Sequence, residues 1–375
     1  MSEVVGVEKK KKKRIFYFDC LRALAIISVI LYHIVSKAGY IIYPDYAVIP
    51  SFNWVMTDVL ATCFRCGVDL FLMLSGALSL GRVWDIKTFL GKRIPRIVAP
   101  FLFWGFTLSL LLVVISFYYP DALHSIKLYT IKTFDIPSFL DYLCKSYMAE
   151  NVGFRPYWFF WMILGTYLIM PIFNKWLLHA DLKEAEYFLV FWLITCIFDF
   201  TLFTPFPIKL SYFSGPIGMV VLGYYLRHTQ RKLLNNIWVS LAILIVGAFS
   251  CVFGSYLLSD TSTIYQFERY SIFLAIEVIG IFLTFKNISQ LNINISFFSN
   301  PDGIFRKSVF SLAKYSYGIY LTQQIFMNLV LALVLHHVHY KMLVLLLFVG
   351  SLGISWIVMA LLDRVPYINK VIGAK

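Results

Sequence analysis

Apolar residues gather in long blocks separated by short polar connections, near residues 15–36, 54–80, 88–118, 156–178, 185–203, 210–227, 236–258, 268–286, 310–335 and 342–363. Blocks of roughly twenty residues match the thickness of a bilayer crossed by a helix. The pattern predicts an all-α fold, a polytopic transmembrane helix bundle of about ten transmembrane helices. The TPFP run at 204–207 marks the fifth connection as a candidate broken hairpin. An even number of crossings returns both termini to one side. Lys and Arg choose that side, with 23 on segments assigned to the inside against 8 outside. Both termini are therefore expected to be cytoplasmic, and 119–155 becomes the longest extracytoplasmic connection.

Composition narrows the class. Of 375 residues, 60% are hydrophobic and only 14% charged, which excludes an ordinary soluble domain. The blocks follow one another without a Gly/Ser linker or compositional break, so one domain is read. A basic cytoplasmic tail spans 1–14, a transmembrane domain 15–363, and a second cytoplasmic tail 364–375. The first apolar block is too long, and its flank too charged, for a cleaved signal peptide, so the chain is expected to be a multi-pass protein of the cell membrane. The net charge of +13 clusters at the ends of apolar blocks, as topology signals do, so no nucleic-acid partner is expected; the lipid bilayer is the evident one. Nothing in the sequence fixes the oligomeric state.

The first block, FDCLRALAIISVILYH at 18–33, holds charges that lipid penalises. Arg22 and His33 lie eleven residues apart, about 16.5 Å along a helix and about 20° around it, so they share a face. Asp19 sits three residues before Arg22, within reach of it. His33 falls about 27 Å from Ile15, toward the outer leaflet, and is the best candidate general base, since a neutral imidazole can take a hydroxyl proton and return it. Arg65 and Asp69 are four apart and expected to pair, a way to bury two charges. Lys92, Arg93 and Arg96 cluster where the third block leaves the cytoplasm, either as inner anchors or as a phosphate-binding entry. Trp158 suits an interfacial belt or a sugar-facing wall. Glu277, inside the eighth block, needs a partner or water. Cys63 and Cys66 form a CxxC without companion ligands, and His336, His337 and His339 lack metal spacing, so neither a disulfide framework nor a metal is expected. No GxSxG motif supports a serine nucleophile.

Arg22, ten intervening residues and His33 resemble a motif of the first transmembrane helix in the acyltransferase 3 family. GVDLFLMLSGAL at 67–78, KRIPRIVAP at 92–100 and YWFFWMILGTYLIMPIF at 157–173 are similar to further family stretches. SYGIYLTQ at 316–323 matches in part: the family stretch often ends in histidine, where this chain has Gln323. The resemblance implies an integral membrane enzyme that moves an acyl group, commonly acetyl, from cytoplasmic acyl-CoA to a cell-surface sugar. It implies catalytic roles for His33 and Arg22, donor binding by Arg93 and Arg96 with Lys92 beside them, and substrate contacts among Asp19, Asp69, Trp158, Tyr320, Gln323 and Glu277.

The expectation is thus a membrane O-acyltransferase using acetyl-CoA or another acyl-CoA as donor co-substrate and an extracytoplasmic glycan or lipid-linked sugar as acceptor. A transporter or flippase of glycan intermediates is the rival, since intramembrane charges serve both, but it would more often show internal repeats.

Overall fold

The structure is a computed structural model that describes residues 14–42, 52–126, 128, 130–131, 135–204, 206–259, 265–291, 303–334 and 337–374. The described residues form helices and no strands. Eight helical stretches are long and apolar enough to cross a membrane. The two remaining expected blocks are also helical but shorter: α9 (Pro216–His228) and α11 (Ile272–Ile288). A 3₁₀ turn, Ser211–Phe213, precedes α9, and a turn closed by the Ser271 N–H donating to the Glu268 carbonyl at 2.9 Å precedes α11. The eighth block, expected from residue 268, begins its helix only at Ile272.

The order of elements follows the expected blocks. Helix α1 spans Phe16–Ile42. The second block breaks into α2 (Phe52–Cys63), a 3₁₀ turn (Phe64–Cys66) and α3 (Gly67–Ser79). Helix α4 (Ile86–Tyr118) starts at Asp85, whose carboxylate accepts the Thr88 N–H at 3.1 Å, and it continues through Pro95 and Pro100. After α5 (Pro120–Ser125) and α6 (Ile136–Tyr147) come α7 (Trp158–His179) and α8 (Leu182–Ile197). Helix α8 loosens into a π turn, Phe198–Leu202, at the connection expected to be broken. Helices α10 (Ile237–Leu258), α12 (Ile304–Val334) and α13 (Tyr340–Leu362) complete the bundle.

Small residues set the closest crossings. A Cβ on Gly76 of α3 would lie 1.8 Å from the Val220 carbonyl oxygen of α9, and one on Gly223 of α9 would lie 2.0 Å from that of Met73. Gly67 sits in the same way against Ala25 of α1. These contacts press the 3₁₀ break and α3 onto the polar face of α1.

Two segments expected as connections or tails fold into the bundle. In 119–155, Leu123, Ile126, Tyr142 and Phe154 are buried. The Tyr147 hydroxyl donates to the Leu102 carbonyl at 2.7 Å, which brings the end of α6 beside the middle of α4. After α13 the chain turns back so that the Trp104 indole donates to the Ile372 carbonyl at 3.1 Å. Gly373, at φ +87°, reaches Gly318 of α12. Both ends of the described chain lie on one face: Arg14 stacks on Phe310 at 4.4 Å, and Lys314, one turn along the same helix, pairs with Asp363 at 2.5 Å.

Candidate functional site

The polar stripe of α1 divides into an inner and an outer station. At the inner end Asp19 is buried and accepts from Arg14 Nε at 2.7 Å, with Arg22 Nη1 at 3.5 Å, so the expected Asp19–Arg22 contact forms and Arg14 joins it. Arg22 faces a cavity of about 320 Å³ that also carries Arg93, Arg96 and Lys314. Arg22 and Lys314 already face the carboxylates of Asp19 and Asp363, while Arg93 and Arg96 have no ion pair among the described residues, so the lining keeps a positive excess that favours an entering anion. Arg93 is held in place: its Nη2 donates to Ser79 at 2.8 Å, and its guanidinium lies 5.8 Å from the Phe89 ring centre and 6.0 Å from that of Tyr167. Lys92 points away, exposed, and does not line the cavity. Ser75, Tyr167, Tyr317 and the backbone of Gly373 contribute polar edges, so the folded-back C-terminal segment is part of the wall.

Phe71, Phe159 and Tyr320 add aromatic side chains to the lining. Tyr320 is fixed by donating to the Pro156 carbonyl at 2.7 Å and by packing on Phe159 at 4.9 Å. One helical turn beyond Tyr320 comes Gln323, whose Nε2 meets His33 Nδ1 at 2.8 Å. The Gln323 amide offers both a donor and an acceptor, so it can hold the ring at Nδ1 in either tautomer; with Nδ1–H donated to the amide oxygen, Nε2 is free to accept a proton. The sequence-predicted residues Arg22, Arg93, Arg96 and Tyr320 therefore line one cavity, and His33 meets Gln323 one helical turn beyond Tyr320.

Other candidates have different surroundings. The expected Arg65–Asp69 pair does not form. The 3₁₀ turn between α2 and α3 winds more tightly than an α-helix and takes Arg65 off the Asp69 face. Arg65 donates instead to Tyr32 at 3.1 Å and to Gln266 at 2.9 Å. Asp69 is fully buried, and neither carboxylate oxygen has a hydrogen-bond partner. Glu277 finds the Cys251 thiol at 3.7 Å, at the α10–α11 crossing rather than on the cavity. Trp158 lies under the guanidinium of Arg269, 4.0 Å from the ring centre. All six cysteines are free thiols, and no group of three or more metal-binding side chains occurs among the described residues. Of the histidine cluster, His336 lies outside the described residues, as do the lysines of the N-terminal run.

Sequence reasoning missed Lys314, Ser75, the Ile372–Gly373 segment and Arg269. Nothing in the local sequence of Lys314 or Arg269 distinguishes them from topology signals. Asp69 Oδ1 and Oδ2, Gln323 Oε1 and Arg269 Nε are buried without a hydrogen-bond partner. Unpaired buried polar groups are rare in folded chains and mark places where water or a substrate completes the bonding.

This arrangement offers an anion-attracting chamber with aromatic side chains in its lining and a hydrogen-bonded imidazole one helical turn beyond Tyr320. Among curated proteins and among solved structures nothing matches the chain. Residues 15–360 match the family model described as an acyltransferase domain, the acyltransferase 3 model, which is nearly the whole chain, and the chain belongs to that family.

Proposed function

We propose that this membrane acyltransferase takes an acyl group, acetyl or another, from cytoplasmic acyl-CoA and transfers it to a sugar hydroxyl of a glycan or lipid-linked sugar on the other side of the cell membrane. The observation that carries the reading is a cavity lined by four cations and by Tyr320, with the His33–Gln323 contact one helical turn beyond Tyr320. CoA is polyanionic at one end and carries its thioester at the tip of a long, thin arm. Guanidinium groups suit its phosphates, which they bind through paired hydrogen bonds. A cavity of about 320 Å³ falls in the lower range of small-molecule sites, about 300–1,000 Å³, and suits the arm and adjoining phosphates with the nucleotide outside.

In this reading Arg22, Arg93, Arg96 and Lys314 hold the phosphates, and the arm passes Phe71, Phe159 and Tyr320. His33 accepts the proton of the acceptor hydroxyl as its oxygen bonds to the acyl carbon, then delivers that proton to the departing thiolate. Gln323 orients the imidazole. Tyr320 has to swing aside or leave room beside its ring for the thioester to reach His33.

The test is direct. Purified protein in proteoliposomes, given acetyl-CoA and membrane glycolipid from cells that express it, should release CoA thiol and yield an acetylated glycolipid by mass spectrometry. Absence of thiol release with every acyl-CoA tried, from protein that folds and binds CoA, would favour the transporter reading.

A further inference from the structure

Acyl transfer creates a charge that the residues discussed so far do not meet. When a hydroxyl oxygen attacks the thioester carbon, negative charge forms on the former carbonyl oxygen, and stabilising it is often the largest catalytic contribution. Arg22 is badly placed for this. It stands about 16.5 Å along α1 from His33, whereas base and oxyanion donor both have to lie about 3 Å from the reacting atoms. With Arg22 lining the inner cavity alongside Arg93 and Arg96, the outer end needs a different cation.

Arg269 fits that requirement. It lies in the non-helical segment 265–271 that leads into α11. Neighbours pin this segment: Gln266 accepts from Arg65 at 2.9 Å and from Tyr32 at 3.0 Å, and the Tyr270 hydroxyl meets the Met162 sulfur at 3.4 Å. The guanidinium is stacked on Trp158, which fixes its plane and leaves its N–H edge to bond elsewhere. Its Nε is buried and has no hydrogen-bond partner. No ion pair neutralises it among the described residues, although Asp69 lies within electrostatic reach. Two chains of contacts carry the segment toward the imidazole and Tyr320: Gln266, three residues before Arg269, bonds Tyr32, the neighbour of His33 on α1, and Trp158 under the guanidinium packs on Phe159, which packs on Tyr320.

We propose that Arg269, held flat on Trp158, is the oxyanion-stabilising group of the acyl transfer. The proposal rests on His33 acting as the base. The acceptor O–H proton moves to His33, the acceptor oxygen bonds to the thioester carbon, and the carbonyl π pair moves onto the oxygen facing Arg269 Nε–H. The pair then returns, the C–S bond breaks, and the imidazolium proton passes to the thiolate. Arg269 ends the cycle unchanged, and its orphan N–H is filled only while the oxyanion exists.

The experiment compares Arg269→Ala, Arg269→Lys and His33→Ala with the parent, following kcat for transfer from acetyl-CoA, donor affinity by calorimetry and thermal unfolding. Removing one oxyanion donor is expected to lower kcat by about 10²- to 10³-fold, with acetyl-CoA affinity within about twofold of the parent. Methylguanidinium in the buffer should restore part of the turnover of Arg269→Ala, and Arg269→Lys should fall between it and the parent. A purely structural arginine would not give a kcat recovered by a soluble guanidinium. If Arg269→Ala does not fold, Arg269→Gln, which keeps planar N–H groups without charge, carries the same decision on kcat. A kcat within about fivefold of the parent, or a defect confined to the acceptor KM, overturns the proposal. A parent that transfers, an inactive His33→Ala and an active Arg269→Ala would refute this inference alone. A parent that does not transfer would refute the functional reading beneath it.

Discussion

His33 and the cavity arginines answer to different parts of the same substrate in the proposed reading, and substitutions should separate them. Replacing His33 by Ala removes the imidazole that Gln323 holds at 2.8 Å. Turnover should fall by about 10²- to 10⁴-fold, the usual contribution of a positioned base, while calorimetry shows acyl-CoA affinity unchanged. Activity within a few-fold of the parent would remove His33 from the mechanism. Arg93→Ala and Arg96→Ala should do the opposite, weakening acyl-CoA binding by about 1.5–3 kcal/mol for each charged hydrogen bond lost. Lys92→Ala is the internal control, because Lys92 is exposed and off the cavity wall; a loss equal to that of Arg93→Ala would return all three to topology signals. Sequence alone could name Arg22 and His33, because charges in an apolar block are conspicuous and helical periodicity fixes their shared face. It could not separate Lys92 from Arg93, since both occupy the same basic run and only the turn of α4 decides which one faces inward. Arg269 was invisible for a related reason: its partners Trp158 and Asp69 are more than a hundred residues away in the chain.

At the scale of elements, apolar block length identified the ten long helical stretches, and what it missed are the short helices α5 and α6 and the departures from regular helix. The 3₁₀ turn Phe64–Cys66 has no breaker residue of its own, yet it decides that Arg65 binds Tyr32 and Gln266 rather than Asp69. The segment 119–155 reads as a polar-and-aromatic connection, and only its packing against α4 shows that its aromatics are core. Glycines at the α3–α9 crossing are the opposite case, present in the sequence but without a sequence signal for which helix they touch. Gly223→Val should be strongly destabilising, because a Cβ there falls 2.0 Å from the Met73 carbonyl oxygen and backbone has to move. The overpacking cost of about 1–3 kcal/mol or more should appear as a lowered unfolding temperature in detergent. Gly165→Ala on α7, where a Cβ would meet nothing within 4 Å, should leave that temperature unchanged or raise it slightly. Equal behaviour of the two variants would mean that α3 and α9 do not cross as described.

For the molecule as a whole, geometry and charge answer separate questions. The contacts of Phe310 with Arg14 and of Lys314 with Asp363 bring the two ends of the described chain to one face, whichever side of the membrane that face occupies. Which side it occupies comes from charge. Arg306 lies over Phe16 in the first turn of α1 and Arg227 over Phe18 beside it, and by the rule that positive residues stay inside this face is expected to be the cytoplasmic one. This orientation also decides the chemistry, since a cavity opening on the other side would face no acyl-CoA. Two exposed lysines report on it: Lys145 on α6, and Lys232 in the turn between α9 and α10. Native Cys144 is exposed beside Lys145 and would obscure the signal, so the background carries Cys144→Ser. In that background a membrane-impermeant maleimide should label Lys145→Cys in intact cells, and should label Lys232→Cys only after the membrane is permeabilised. The reverse pattern would put Arg22, Arg93, Arg96 and Lys314 on the outside, and the four-cation cavity would then need an extracellular anion in place of CoA.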